Sequence, residues 1–339
     1  MKKQNLVIAV LAIVIGVLIG TQLNRGPKES QASQQLQTKQ RFAMNVVVSG
    51  VPFWTDTRET WEKIGKTVEG VETVFGGPTD TDASKQIEEM DALIAEKVDG
   101  IVIAPCDSDS LTPEIDKAVA AGIPVVTYLT DSPKSKRICY VTSSLEGASR
   151  LVGDYVANIG GYTGSAIVSI GAAGSEEQRR RAAGFKEIVK QHPGMELVQT
   201  VEDKFDDVKG ADEIKAALIR TPDVRFIFGC NSRSAAAAVT ALKELGKKPG
   251  DVLVSAWDYD SDVLKLIKDG WVQASAAQQS SFMTELCFGI LQADGKNFLY
   301  PQSLDLKKFG VPPLPTMIEV PVTLITSTNA DAYVRVQGK

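Results

Sequence analysis

Short hydrophobic runs alternate with amphipathic segments along most of the chain. The runs at 44–48 and 101–104 are continuous and rich in Val and Ile, which is typical of strands buried on both faces. Between them, Ile87, Met90 and Ile94 recur at spacings of three and four, which predicts one apolar face of a helix. Strands that alternate with helices predict a parallel sheet that helices cover on both faces.

The alternation starts a second time near residue 165. Ser175 and Gln178 form a capping box that predicts a helix up to about Gln191. Further strands are expected at 165–170, 197–201, 225–228, 253–257, 272–276 and, in the tail, 318–325. Two sets of alternating elements in a chain of 339 residues predict an α/β fold with two similar lobes.

The N-terminal pattern differs from the rest of the chain. Lys2 and Lys3 precede an uncharged apolar run at 6–20, which is the arrangement of an export signal. The length of this run lies between that of a signal peptide and that of a spanning helix. Residues 1–23 are therefore expected to be a signal peptide or a membrane anchor. Residues 24–42 are rich in Gln, Ser and Lys, and we expect a flexible linker there.

Composition and charge argue against several classes of function. A net charge of −5 does not supply the basic surface that nucleic-acid binding requires. His192 is the only histidine, so we expect neither a histidine-built metal site nor a Ser-His-Asp triad, and no cofactor is predicted. Phosphate-binding and nucleophile-elbow motifs are absent, which argues against an enzyme. The four cysteines lack metal or redox spacing, so we expect buried thiols, with one disulfide as the alternative.

An ordered set of motifs resembles the type I periplasmic sugar-binding proteins, the ribose-binding class. The motifs are VPFW at 51–54, DGIVIAP at 99–105, AGIPVV at 121–126, Arg181 with Gly184-Phe185, Phe205-Asp206, Asn231, Trp257-Asp258 and Gln278. The resemblance implies two Rossmann-like lobes with parallel sheets, joined by a hinge of three chain crossings. It implies a first lobe of residues 43–143 and 279–308, and a second lobe of residues 144–278 and 309–339.

The resemblance also implies a ligand held between the lobes and flanked by aromatic side chains. Phe53 and Trp54 match the wall of the first lobe and Phe205 matches the facing wall of the second; a place in the core is the alternative for each. Arg181 matches the ligand-binding arginine of the family, with a solvated helix face as the alternative. Aromatic rings suit the C–H faces of a sugar, and charged planar groups suit its hydroxyls.

Polar residues just beyond strand ends complete the implied site. Asn231, Asp258 and Gln278 follow three strands of the second lobe, where ligands of open parallel sheets bind. Helix capping is the alternative for Asn231 and Asp258, and a plain hinge role is the alternative for Gln278. In the first lobe, Leu129 stands where the family usually has a ligand-binding Asp, and Asp131 is the candidate substitute. Because the first-lobe contacts are fewer, the ligand is expected to be less hydroxylated than a plain aldopentose or aldohexose.

The predicted function is extracytoplasmic binding of a sugar or sugar-like small solute by hinge closure, with delivery to an ABC transporter. The alternative is a ligand-sensing role for a membrane histidine kinase or chemoreceptor, and an enzyme on the same scaffold is disfavoured. The predicted location is the periplasm or the cell surface, with N-terminal membrane association. The ligand-binding domain is expected to be a monomer without a nucleic-acid partner.

Overall fold

The computed structural model describes residues 39–50, 52–295 and 314–334. The predicted signal peptide or anchor at 1–23 and the predicted linker as far as residue 38 lie outside the described residues. Each helix within the described ranges is too short or too polar to cross a lipid bilayer.

The first strand begins earlier than the sequence analysis expects. The linker is predicted to extend to residue 42, but strand β1 (Gln40–Asn45) already includes the last residues of that segment. The reason is the burial of Phe42, whose ring lies edge-on against Phe288 with the centroids 5.3 Å apart. The apolar side chain therefore draws residues 40–42 into the sheet.

The first part of the chain alternates strands and helices. In chain order, β1 is followed by a 3-10 helix (Pro52–Trp54), α1 (Thr55–Thr67), β2 (Val71–Gly76), α2 (Ala83–Ala95), β3 (Gly100–Ile103), α3 (Ser108–Ala120), β4 (Val125–Tyr128) and β5 (Cys139–Ser143). Side-chain caps mark the starts of α2 and α3. Asp82, for example, accepts a hydrogen bond of 2.8 Å from the backbone N–H of Ser84 at the start of α2.

The second part repeats this alternation and ends in a short tail. It consists of α4 (Leu145–Ile159), β6 (Gly164–Ile170), α5 (Glu176–Gln191), β7 (Met195–Glu202), α6 (Asp207–Arg220), β8 (Val224–Gly229), α7 (Ser232–Glu244), β9 (Leu253–Trp257), α8 (Ser261–Lys268) and β10 (Val272–Ala277). Then come α9 (Ser280–Gly295), β11 (Met317–Val320), β12 (Thr323–Ile325) and a 3-10 helix (Ala330–Tyr333).

The strands form two sheets of the same topology. The first has the order β2-β1-β3-β4-β5-β11 and the second the order β7-β6-β8-β9-β10-β12. All neighbouring pairs are parallel except β10 and β12. The prediction of two α/β lobes built on parallel sheets is thereby confirmed.

Helices cover both faces of each sheet with apolar side chains. In the first lobe, α1 and α9 contribute to the core on one face, and α2 and α3 to the core on the other. In the second lobe, α4 and α5 contribute to one core, and α6, α7 and α8 to the other. All four cysteines are free thiols, three of them buried, so the expected disulfide alternative is not found.

The chain passes between the lobes after β5, after β10 and between β11 and β12. The tail differs here from the sequence analysis, which places a single strand at 318–325 and assigns everything from residue 309 onward to the second lobe. Strand β11 instead pairs with β5 of the first sheet, and only β12 joins the second sheet, beside β10. Pro321 lies between the two strands, and proline interrupts a strand because it has no N–H to donate.

Candidate functional site

A cleft of about 1070 Å³ lies between the two lobes. Phe53 and Asp56 line it from the first lobe, and Asp258 and Tyr259 line it from the second. Gln278, at one of the chain crossings, lines it as well. Three of the predicted site residues thus come together in one cavity, beyond the carboxyl ends of parallel strands, where ligands of open α/β sheets bind.

Gln278 connects the two lobes by hydrogen bonds. The Ser143 hydroxyl, at the end of β5, donates to Gln278 Oε1 over 3.0 Å. Gln278 Nε2 donates to Asp258 Oδ1 over 3.2 Å. The side chain therefore has the hinge contacts that were considered for it and also borders the cleft.

Asp258 occupies a constrained position between β9 and α8. Its φ of 67° is in the left-handed region, and its backbone N–H donates to the Ala276 carbonyl over 2.9 Å. The Ser275 hydroxyl donates to the Asp258 carbonyl over 2.6 Å, which further fixes the loop. Helix capping by Asp258 is not observed, because α8 begins only at Ser261. The carboxylate is consequently held at the cleft and not at a helix end.

Burial raises the pKa of the Asp258 carboxyl above that of an exposed aspartate. The positive charge of Arg181 and the hydrogen bond from Gln278 both act in the opposite direction. A partly dehydrated carboxylate of this kind gains from any further donor, because its water shell is incomplete. A ligand hydroxyl could supply such a donor.

Arg181 is buried, with only 3% of its surface exposed, so it does not lie on a solvated helix face. Its guanidinium lies over the ring of Trp257, 3.8 Å from the centroid, and Nη1 donates to the Cys230 carbonyl over 2.8 Å. Nη2 contacts the Glu177 carboxylate one helical turn away. Its Nε has no hydrogen-bond partner within the protein. Arg181 thus places a positive charge beneath the loop that carries Asp258.

The neighbouring arginine has a different role. Arg180 makes a bidentate ion pair with Glu146, with both N–O distances at 2.7 Å, and contacts Glu319 of β11 over 2.9 Å. Ser144, at the first crossing, donates to the same Glu319 over 3.1 Å. This group of side chains links the lobes directly beside the crossings.

Asn231 serves the helix that follows it. Its Oδ1 accepts a hydrogen bond of 2.9 Å from the backbone N–H of Ser234, which is the capping alternative considered from the sequence. Its Nδ2 points to Asp203 Oδ2 at 3.2 Å and to Gln178 Oε1 at 3.3 Å. The amide is thus fully used inside the second lobe, and Asn231 is not among the residues lining the cleft.

Asp203 is a buried acidic residue beside Asn231 that the sequence analysis misses, and it does not line the cleft. Its carboxylate is completely buried and accepts hydrogen bonds from the Ser169 hydroxyl over 3.0 Å and from the backbone N–H of Phe205 over 2.9 Å. The Ser234 hydroxyl donates to it as well. Its position directly after β7 is the same signal that identified Asn231 and Asp258, and this signal could have identified it.

The predicted aromatic residues occupy three different environments. Phe53 is 40% exposed in the cleft and lies edge-on against Trp54, with centroids 4.9 Å apart. Trp54 is buried and packs against Tyr128 in the core of the first lobe, which is the alternative considered for it. Phe205 is 52% exposed, covers Gly171 and lies outside the lining of the cleft. The cleft therefore has one aromatic wall from the predicted set, contributed by Phe53.

Asp131, the candidate substitute for a ligand-binding aspartate, is paired within the first lobe. Its Oδ1 and Oδ2 accept from Nε and Nη2 of Arg137 over 2.5 and 2.6 Å. The Thr127 hydroxyl donates to Oδ1 over 2.7 Å. The structure places Asp131 in this ion pair and not along the cleft.

Comparison with known proteins adds to this geometry. The profile of the periplasmic binding protein domain matches residues 42–296. The D-ribose/D-allose-binding protein of Pseudomonas aeruginosa is 32% identical over 266 residues, which are 76% of this chain and 79% of that protein. The ribose import binding protein RbsB of Bacillus subtilis is 27% identical over 84% of this chain and 91% of its own length.

The fold has close structural neighbours. AraP, an arabinose binding protein from Geobacillus stearothermophilus, superimposes with a TM-score of 0.80 over 88% of this chain and 100% of its own, at 24% identity. These relatives are binding proteins and not enzymes, in agreement with the sequence analysis.

Proposed function

The chain belongs to the periplasmic binding protein family, and on that premise we propose that it binds a sugar or sugar-like solute outside the cytoplasm and delivers it to an ABC transporter. The observation that carries the proposal is the chain of hydrogen bonds Ser143–Gln278–Asp258 at the cleft. It joins both lobes to a carboxylate that borders the cleft, beside the exposed ring of Phe53.

The chemistry of this cleft suits a small polyhydroxylated or carbonyl-bearing solute. The ring of Phe53 offers an apolar face for C–H groups, and Asp258 offers a carboxylate acceptor for hydroxyls. Gln278 has both a donor and an acceptor at the same edge. We infer that these three residues contact the ligand, with Arg181 supporting Asp258 from beneath.

The polar groups are distributed unevenly, and this limits the ligand. Asp131 of the first lobe and Asn231 of the second use their hydrogen-bonding groups inside their own lobes. The proposed ligand therefore presents one polar edge to Asp258 and Gln278 and a less hydroxylated face to Phe53. A buried hydroxyl without a partner costs about 1–3 kcal/mol, so a fully hydroxylated sugar would be bound less well.

Binding is proposed to proceed by closure of the hinge. The chain crosses between the lobes three times, and a ligand that touches both walls stabilises the arrangement in which they are close. The closed form is the state that a membrane partner would recognise. A transporter is favoured over a membrane sensor because the Bacillus relative is named an import binding protein.

The proposed location is the periplasm or the cell surface. Membership of the periplasmic family and the basic-apolar pattern at 1–23 both support export. The molecular mass of the mature protein, measured by mass spectrometry, distinguishes the two forms of the N-terminus. An anchored protein keeps residues 1–23, whereas a cleaved signal peptide is missing from the mass.

A thermal-shift screen of the full chain against monosaccharides, sugar alcohols and deoxysugars tests the binding proposal. A ligand at a hundredfold excess over its Kd adds about 2.7 kcal/mol, which raises the Tm by roughly 5 °C or more. At the same ligand concentration the shift should fall to about half or less in Asp258→Asn. It should be kept in full in Asp223→Asn, an exposed aspartate of the same lobe. A shift of full size in Asp258→Asn, or no shift with any compound, would refute the proposed site.

A further inference from the structure

A tyrosine of the second lobe is hydrogen-bonded to an aspartate of the first lobe. The Tyr259 hydroxyl donates to Oδ2 of Asp56. Asp56 lies in the first turn of α1, and Tyr259 lies in the loop between β9 and α8, next to Asp258. Both residues line the cleft, so their bond spans it.

This bond differs from the other inter-lobe contacts. Ser143, Ser144 and Gln278 lie at the crossings themselves. The Arg180–Glu319 ion pair joins α5 to β11 directly beside a crossing. A rotation about the crossings moves such residues little, so their bonds can persist. Tyr259 and Asp56 belong to no crossing segment, and a rotation that opens the cleft must separate them.

Tyr259 is held in place for this contact by a second tyrosine. Its ring packs against Tyr333 of the C-terminal 3-10 helix, with centroids 5.4 Å apart and the rings tilted by 56°. Burial raises the pKa of Tyr259 to about 12, so the phenol stays protonated and remains a donor at physiological pH. The side chain is therefore directed at Asp56 before any ligand arrives, which lowers the entropy cost of making the bond.

We propose that Tyr259 and Asp56 form a latch that stabilises the closed arrangement of the lobes and thereby sets the affinity for the ligand. The proposal rests on the hinge closure of the proposed function. Because the bond is made within the protein, it increases the fraction of ligand-free molecules that are already closed. Apparent affinity rises in proportion to that fraction.

The expected effect of the latch is about tenfold to a hundredfold in affinity. A hydrogen bond to a charged acceptor contributes roughly 1.5–3 kcal/mol, and each 1.4 kcal/mol corresponds to a factor of ten. Loss of the Tyr259 hydroxyl should weaken binding mainly by speeding ligand release, because the closed state would open more often.

The latch can be tested without any ligand, by pulsed electron resonance distances between spin labels on the two lobes of the full chain. Suitable sites are Ser84→Cys at the start of α2 and Lys209→Cys in α6, both exposed, in a Cys106→Ser background. These helices follow β2 and β7, the outer strands farthest from the crossings, where opening moves the chain most. In the ligand-free protein, Tyr259→Phe should shift the population to longer distances.

One control variant and one partner variant show whether the change in distance comes from the Tyr259–Asp56 bond. Tyr162→Phe removes the same atom from a tyrosine–aspartate bond of 3.0 Å to Asp154 inside the second lobe, and it should leave the distances unchanged. Asp56→Ala should lengthen them as Tyr259→Phe does, and the double variant should add nothing further, because both act through one bond. Unchanged distances in a folded Tyr259→Phe, an equal change in Tyr162→Phe, or full additivity would overturn the latch.

Failure of the latch and failure of the sugar proposal give different results. An opened Tyr259→Phe variant in a protein that no sugar stabilises would support the latch and refute the sugar proposal. An unchanged variant in a protein that sugars stabilise would refute the latch and leave the sugar proposal standing.

Discussion

The two lobes have the same order of strands but use their polar side chains in different ways. In the first lobe, Gln86 and the Asp131–Arg137 pair are satisfied by partners within that lobe. In the second lobe, Asp258 points to the cleft and is tied to the crossing residue Gln278. Two lobes with the same strand order therefore do not contribute the same polar groups to the cleft. The side chains in a loop after a strand can bond within their own lobe or face the cleft.

In the proposed function, the two lobes therefore contribute differently to ligand binding. The first lobe offers an aromatic surface through Phe53 and, at Asp56, an anchor for Tyr259. The second lobe offers the carboxylate that recognises hydroxyls. Specificity for the polar edge of the ligand would then depend on the second lobe, and closure would depend on contacts between the two.

The largest expected effect concerns the buried polar networks of the two lobes. Asp203→Ala leaves the Ser169 hydroxyl and other donors unpaired and should lower the free energy of unfolding by about 3 kcal/mol. Gln86→Ala, at an equally buried position in the first lobe, should cost less, because bonds to a charged acceptor are about twice as strong as neutral ones. Urea unfolding of both variants measures this, and a larger loss in Gln86→Ala would contradict the comparison.

The next effect separates ligand affinity from stability at one residue. Asp258→Asn should weaken binding by about tenfold to a hundredfold, because it removes a charged acceptor from the cleft. The same change should stabilise the ligand-free protein at neutral pH. Isothermal titration calorimetry measures the first effect, and thermal unfolding measures the second.

The pH dependence of that stability has a definite sign. The pKa of Asp258 is raised in the folded protein, so the folded state holds its proton to higher pH than the unfolded state does. The free energy of unfolding contributed by this group therefore falls as the pH rises from the ordinary aspartate pKa, about 3.9, through the raised value. Asp258→Asn should abolish this fall, and an unchanged pH profile would show that the carboxylate is not buried as described.

The smallest effect concerns the first lobe. Asp131→Asn weakens the ion pair with Arg137 and should lower the free energy of unfolding by about 1 kcal/mol. Ligand affinity should stay within a factor of two, because Asp131 does not line the cleft. A loss of affinity as large as that of Asp258→Asn would mean that the first lobe also recognises the polar edge of the ligand.

The sequence predicted the repeated α/β pattern because buried parallel strands are continuous apolar runs that single-sequence reasoning can see. Single-sequence reasoning fails where a helix-capping residue and a cleft residue occupy the same kind of position, directly after a strand. Asn231 and Asp258 both follow a strand of the second sheet, yet one caps a helix and the other faces the cleft. The difference depends on how far the next helix begins from the strand, and boundaries of that kind are not visible in hydrophobic periodicity.

Other features depend on contacts that are distant in the chain. Tyr259 and Asp56 are 203 positions apart, and no local pattern marks them as partners. The pattern at 318–325 predicts a single strand, but Pro321 interrupts it and the two halves join different sheets. Pairing across a hinge has to be observed in three dimensions.

The most direct test of the central claim is to follow the distance between labels at residues 84 and 209 while the sugar that gives the largest thermal shift is added to the full chain. We expect a saturable shortening at one ligand per chain in the wild type, and in Asp258→Asn a shortening that needs about tenfold to a hundredfold more ligand. Binding detected by calorimetry without any change in that distance, or a shortening in Asp258→Asn at the same ligand concentrations as in the wild type, would contradict a ligand site between the lobes.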